Sequence, residues 1–202
     1  MLLKNMKWCW KMHKYLKEVK RIEKLPKEEI KINLGNFEAN LFFLKKTGIL
    51  NKDKRILEIG SGKGTMVNYL SKQGYDIIGT EINEKYISFA KNNFSIKLKK
   101  MSGENIKFKD NSFDLVISFD VFEHIPNSDK HLQEVKRVLK PKGHYLLQTP
   151  NKWTIVNDFF KEKIKKQFGV LGSTTLKIFN PDSFPYFLRT NFYVVARKDE
   201  IK

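Results

Sequence analysis

The sequence predicts an α/β fold: a parallel sheet with helices on both faces. Three observations carry that prediction. Short apolar runs alternate with segments of helical periodicity through the middle of the chain, the pattern of a sheet covered on both sides. The run Ile56-Leu-Glu-Ile-Gly-Ser-Gly-Lys-Gly64 turns a buried strand sharply through three glycines into a helix. An acidic residue, Glu81, closes the next apolar run. Glycines let backbone approach a ligand closely, and a helix N-terminus offers unpaired N–H groups. With Glu58 two residues before the first glycine, the two acids fit a ligand with a cationic amine at one end and a ribose diol further along.

In chain order, residues 2–25 read as a basic amphipathic helix ending at Pro26. Trp8, Met12, Tyr15, Val19 and Ile22 recur at three- and four-residue spacing and form its apolar stripe. Residues 1–35 are expected to form a helical cap on a domain spanning 36–202. A helix over residues 36–47 follows, with Phe37, Leu41 and Leu44 on one side and Gly48 at its end. The core strands are predicted at Arg55–Ile59, Tyr75–Glu81, Ile96–Met101, Phe113–Phe119 and His144–Thr149. Helices fill the intervals at Thr65–Gln73, Asn83–Asn93 and Asp129–Leu139. Right-handed crossovers then bring the loops after strands one, two and four to one edge, where ligands bind in such sheets. The tail reads as a Lys-rich helix, Trp153–Phe168, then strands Thr174–Phe179 and Asn191–Arg197.

Composition narrows the function classes. A chain of 202 residues with 41% hydrophobic content suits one domain with a real core. The single cysteine, Cys9, excludes a disulfide framework and a cysteine zinc cluster, and suits a reducing cytoplasm. No run of eighteen apolar residues marks a membrane span. Lysines at positions 4, 7 and 11 break any secretory apolar core. The net charge of +17 raises nucleic-acid binding as a reading. Lysine supplies 34 of the 39 basic residues and arginine 5, spread along the chain, so a compositional bias is favoured over a phosphate reader. Attraction to anionic surfaces, including peripheral contact with a membrane, follows from the charge in either case.

The glycine run resembles the first motif of the class I S-adenosylmethionine (SAM)-dependent methyltransferases, Glu/Asp-x-Gly-x-Gly-x-Gly. Four more segments match that family in order: Tyr75 to Glu81, Met101 to Phe108, Phe113 to His124 and Leu132 to Gly143. An NAD-binding domain shares the strand, glycine turn and acid, but its third glycine would fall at Thr65 and it has no need of Glu58. The resemblance implies a Rossmann-like fold whose last strand, Asn191–Arg197, runs antiparallel. Little room is left between Pro181 and Thr190 for the usual helix and sixth strand. Either Thr174–Phe179 serves as that strand or the sheet lacks one.

The resemblance also implies SAM as cofactor and assigns residues to it. Gly60, Ser61, Gly62 and Gly64 would surround the amino-acid end, with Glu58 orienting that end in part by supporting the loop. Glu81 would accept from the ribose hydroxyls and Ile82 would pack on adenine, if it is not simply core. Ser102 and Gly103 occupy the adenine-edge position, where many relatives have Asp in place of Ser102. Phe119 and Asp120 would line the cofactor. The segment Asp120-Val-Phe-Glu-His124 resembles the Glu-x-x-Glu-His of ubiquinone-biosynthesis O-methyltransferases. Three readings stay open for Asp120, Glu123 and His124: base or substrate contact, a divalent cation holding the acceptor oxygen, or bracing of the loop. His13, His131 and His144 show no partner spacing and read as surface or satisfied structural residues.

These features imply a cytoplasmic methyltransferase acting on a small-molecule or lipid-like acceptor at oxygen. RNA 2′-O-methylation and a non-catalytic SAM-fold module are the alternatives. The Asp120-Val-Phe-Glu sequence argues against adenine amino-methylation, which uses a Pro-Pro motif there. The place of Cys9 outside the core argues against carbon-5 methylation of pyrimidines.

Overall fold

The computed structural model describes residues 34–150, 163–164, 166–168, 176–178 and 191–199. The N-terminal helix expected over 2–25, and most of the Lys-rich helix, lie outside them. Four helices are described in full: α1 (Leu34–Lys46), α2 (Thr65–Lys72), α3 (Glu84–Phe94) and α4 (Ser128–Val138). The strands are β1 (Arg55–Ile59), β2 (Asp76–Glu81), β3 (Lys99–Lys100), β4 (Phe113–Phe119), β5 (Leu139–Pro150), β6 (Leu176–Ile178) and β7 (Asn191–Arg197). They form one sheet in the order β3-β2-β1-β4-β5-β7-β6. Every pair from β3 to β5 is parallel, and β7 runs antiparallel between β5 and β6. The described part of Thr174–Phe179 is therefore the sixth strand, at the sheet edge.

Strand alternation sorts the core into two layers. Ile56, Ile117, Leu146 and Val195 face α1 and α2, beneath Phe37, Leu41, Phe43, Leu44, Met66, Tyr69 and Leu70. Leu57, Ile59, Val116, Tyr145, Leu147 and Val194 face the other side, against Leu132, Val135 and Val138 of α4. Burying each such large apolar side chain contributes about 1.5–3 kcal/mol, and this holds the helices to the sheet. Val67, Ala90 and Leu98 make a smaller contact that joins α2 and α3.

Helix ends follow local chemistry. Asn83 caps α3 by accepting from the Lys85 N–H at 3.0 Å, and Asn127 caps α4 by accepting from Lys130 at 3.0 Å. Arg137, in the last turn of α4, ties that helix to the loop before β4. Its guanidinium bonds Glu134, Asp110 and the carbonyls of Ile106 and Phe108.

Most element boundaries fall within one or two residues of expectation, and two strands depart further. Only Lys99–Lys100 of the expected third strand pairs with β2. Before it, Leu98 turns into the small core beside α3, and the exposed lysines leave a short, charged edge. At the other extreme, β5 starts at Leu139, not His144. Leu139 already pairs with Phe113, and the register shifts before Leu115 pairs with His144. Lys140-Pro-Lys-Gly143, expected to lie between helix and strand, is thus a bulge inside the strand, with Lys142 at φ 63°.

Candidate active site

The C-terminal ends of β1, β2, β4 and β5 bring the site together. Between β1 and α2 the chain turns with Gly60, Gly62 and Gly64 all at left-handed φ of 66°, 51° and 76°. Gly60 is also fixed by space, since a Cβ there would lie 2.4 Å from Val121 Cγ2 on the neighbouring loop. Ser61 anchors the turn. Its N–H donates to the Thr80 carbonyl at 2.8 Å and its hydroxyl to the Glu58 carbonyl at 3.2 Å.

Glu81 does more than close β2. Its Oε2 accepts from the Gly62 N–H at 2.7 Å, and its Oε1 accepts from Ile82 at 2.8 Å and Asn83 at 2.9 Å. The carboxylate so stitches the glycine turn to the end of the next strand. Behind it, the Glu58 backbone carbonyl accepts from the hydroxyls of both Ser61 and Thr80 at 3.2 Å.

Glu58 itself points to the α1 side of the sheet, as Ile56 does two residues earlier. It is 5% exposed, and its Oε2 has no hydrogen-bond partner. Burial pushes its carboxyl up from 4.5 to about 8, opposed by the Ser61 hydroxyl and aided by the negative charge of Glu81. Beyond β2, Ile82 stands out to solvent at 65% exposure, so the core reading for it does not hold.

The adenine-edge segment is a tight turn. The Asn105 N–H donates to the Ser102 carbonyl and the Glu104 N–H to the Ser102 hydroxyl. Beneath it runs a buried chain that sequence reasoning missed. His131 Nδ1 lies 2.9 Å from the Gly103 carbonyl, His131 Nε2 3.0 Å from Tyr145 Oη, and Tyr145 Oη 2.6 Å from Ser118 Oγ. A carbonyl only accepts, so Nδ1 carries the proton. Burial lowers the His131 pKa and keeps the ring neutral, so Tyr145 donates to Nε2 and Ser118 donates to Tyr145. His131 is thus a satisfied structural histidine. Three residues from α4, β5 and β4 meet here only in the fold, and no sequence spacing announces them.

Gln148 and Thr149 of β5 were also missed, and they arrange the segment after β4. Asp120 sits at φ 56°, an unusual conformation for a residue with a side chain. Its N–H donates to both the carbonyl and the Oε1 of Gln148, at 3.1 and 3.0 Å. Gln148 Nε2 donates back to Asp120 Oδ1 at 2.9 Å. The next residue, Thr149, donates its hydroxyl to Glu123 Oε2 at 3.0 Å. Successive strand residues point to opposite faces, so the two carboxylates are drawn apart. Accordingly, among the described residues no three His, Cys, Asp or Glu side chains gather where a metal ion could be held. His124 ends the single helical turn Phe122–His124, and its imidazole is exposed.

The residues present fit SAM. Glu58 Oε2 is an unanswered acceptor for an ammonium, the glycine turn leaves backbone open to close approach, and Ile82 offers an exposed apolar surface beside Glu81. With the sheet order, these features define a class I SAM-dependent methyltransferase, and the chain belongs to that family. Residues 57–147 match the model of the methyltransferase domain. An uncharacterized protein of Methanocaldococcus jannaschii is 31% identical over 171 residues, covering 79% of this chain and 70% of that protein. The ubiquinone/menaquinone biosynthesis C-methyltransferase of Rickettsia prowazekii is 34% identical over 129 residues, covering 56% of this chain and 52% of that enzyme. The chain thus spans about half the length of that relative. Among solved structures, a TehB-like SAM-dependent methyltransferase of Corynebacterium glutamicum superposes with a TM-score of 0.61 at 20% identity, over 94% of this chain and 98% of that one. Among the described residues, no helix is long and apolar enough to cross a membrane.

Proposed function

We propose that this methyltransferase acts on a small-molecule or lipid-like acceptor, at oxygen, with His124 as the base. SAM, when bound, supplies a methyl group already activated by its sulfonium. The chain's own task is then to hold donor and acceptor in line and to take the acceptor proton. Gly60, Ser61, Gly62, Gly64 and Glu58 would receive the amino-acid end. Glu81 would meet the ribose, while Ile82, Ser102 and Gly103 would border adenine. Phe119 and Asp120 would line the methyl side.

The single observation that carries the assignment is the contrast within 120–124. Asp120 and Glu123 are held by Gln148 and Thr149, whereas the His124 imidazole is exposed at the same edge. A neutral imidazole can accept a proton near neutral pH, and a carboxylate occupied in holding the loop is less suited to it. Relatives with ubiquinone-biosynthesis O-methyltransferase in their names, such as that of Pelagibacter ubique at 29% identity, support oxygen as the target. The test is incubation of the protein with labelled SAM and extract of its own cells, with products separated into lipid, small-molecule and RNA fractions. Label in lipid or small molecules that disappears with His124→Ala supports the proposal. Label confined to RNA refutes it. Residues 2–25 would cover the cleft as a lid. Their deletion should then lower activity on soluble acceptors, whereas retained activity with lost binding to anionic liposomes would make them a membrane anchor.

A further inference from the structure

At the foot of the sheet, away from the candidate active site, three basic side chains meet on the α1 face. Strand register places two of them. Ile56, Leu115 and His144 pair in one row across β1, β4 and β5, and Arg197 continues the row on β7. Alternation sets the face. Leu146 and Val195 belong to the α1 layer, so His144 and Arg197, two residues away on the same strands, point the same way. Lys54 stands two residues before Ile56, and its Nζ donates to the Ile49 carbonyl at 2.8 Å, which holds the amine at this edge. All three residues are half-buried.

Arg197 is left unanswered. Its Nε is buried and has no hydrogen-bond partner, a state native proteins seldom tolerate. The next residue shows the usual remedy. Lys198, on the opposite face, donates its Nζ to Asn111 Oδ1 at 2.8 Å and to the Leu139 carbonyl at 2.7 Å. His144 also lacks a counter-charge. Burial, then the charges of Lys54 and Arg197, push its pKa down from 6.5 to about 4, so the imidazole is neutral near pH 7. The carboxylate at this edge, Asp114, lies within electrostatic reach of Lys54. It is already held by Lys140 Nζ at 2.8 and 3.0 Å and by the Arg55 N–H at 3.0 Å. Two positive charges and one neutral ring therefore converge, with no carboxylate among the described residues bonded to them.

We propose that Lys54, His144 and Arg197 form a binding site for a phosphate group at the foot of the sheet, remote from methyl transfer. A doubly charged oxyanion balances Lys54 and Arg197, and its oxygens can accept from guanidinium, ammonium and imidazole together. The guanidinium fork also matches phosphate geometry. His144 lies four residues before Gln148 on β5, about 13 Å at about 3.3 Å per residue, so the site is distinct from the edge where donor and acceptor meet.

The test follows the His144 imidazole by NMR in the full chain, its signal assigned with His144→Gln. Sulfate, a dianion at every pH used, is compared with sodium chloride at equal ionic strength. It should raise the His144 pKa by about one unit or more, because a bound anion favours the charged ring. By linkage, the same shift makes sulfate bind about tenfold more tightly below the His144 titration than above it. Arg197→Leu should itself raise the ligand-free pKa, since a repelling charge is gone, and should abolish the further rise with sulfate. Its affinity for SAM should be unchanged, and its ligand-free melting temperature should hold or rise. Lys54→Met gives a second variant with the same expected loss of response if leucine at 197 disturbs folding. Calorimetry near neutral pH then distinguishes the sources of the phosphate. Binding of both inorganic phosphate and glycerol 3-phosphate marks a site for phosphate carried on a larger molecule, and binding of inorganic phosphate alone marks a free-anion site. Binding of neither would overturn the inference, as would an equal pKa rise in sodium chloride or a sulfate response that survives both variants.

Discussion

Glu58→Gln isolates the electrostatic cost of the buried carboxyl. Its pKa rises from 4.5 in the unfolded chain to about 8 in the native state. Between those values the native protein holds a proton that the unfolded chain has released, so wild-type stability falls as pH rises through this window. At 1.36 kcal/mol per pKa unit, the penalty is roughly 1.4 kcal/mol near pH 5.5 and roughly 4 kcal/mol near pH 7.5. Glutamine keeps the shape and cannot ionise. Whatever its amide costs is independent of pH, so the slope, not the offset, carries the information. The variant should gain about 2.5 kcal/mol on the wild type over that interval, or about 5–10 °C in melting temperature for a domain of this size. Thermal melts of both proteins in the absence of ligand, across that pH range, provide the assay. Parallel profiles would refute the buried, unpaired state of Glu58. The same carboxyl must ionise to face an ammonium, so SAM should bind more tightly as pH rises toward 8. Binding near pH 7 should release a proton, detectable by calorimetry in buffers of different ionisation enthalpy.

Other substitutions read other parts of the site. Glu81→Ala should weaken SAM roughly 10- to 150-fold, the scale of 1.5–3 kcal/mol for hydrogen bonds to a charged group, and should also lower the ligand-free melting temperature because three backbone N–H groups lose their acceptor. An unchanged ligand-free melting temperature would contradict the stitching role. Removing the imidazole with His124→Ala should cut turnover by roughly 10²–10⁴ with little change in SAM affinity. Full turnover would leave His124 as a brace. Tyr145→Phe should cost about 1–3 kcal/mol by leaving His131 Nε2 unanswered in the core, read in denaturant melts; a neutral result would mean the chain is not formed.

The alternating fold was legible because apolar strands and amphipathic helices carry different periods. Arg55–Ile59 and Phe113–Phe119 are observed at their expected boundaries, both being apolar runs buried on two sides. The edge of the sheet was less legible. Ile96 and Leu98 carry a strand's apolar alternation, yet Leu98 packs against Val67 and Ala90 before the ladder begins. The glycine turn, Glu58 and Glu81 were legible because they are close in sequence or fixed in spacing. Their division of labour was not, since that Glu81 stitches the turn depends on which oxygen meets which N–H. Gln148, Thr149 and Tyr145 read in sequence as ordinary strand residues. Their roles come from pairings across elements, such as the 28 positions separating Gln148 from Asp120.

The paired grips of Gln148 and Thr149 turn the alternation of one strand into a partition of the site. Gln148 lies on the α1 face with Leu146, and Thr149 on the α4 face with Leu147. Each carboxylate of the 120–124 segment therefore reports to a different layer of the molecule. A substitution in the α1 layer can reshape the surroundings of Asp120 while Glu123 stays anchored, and the converse holds for the α4 layer. One short segment is thus fastened at its two ends to opposite sides of the sheet, and a change on one side leaves the other fastening in place.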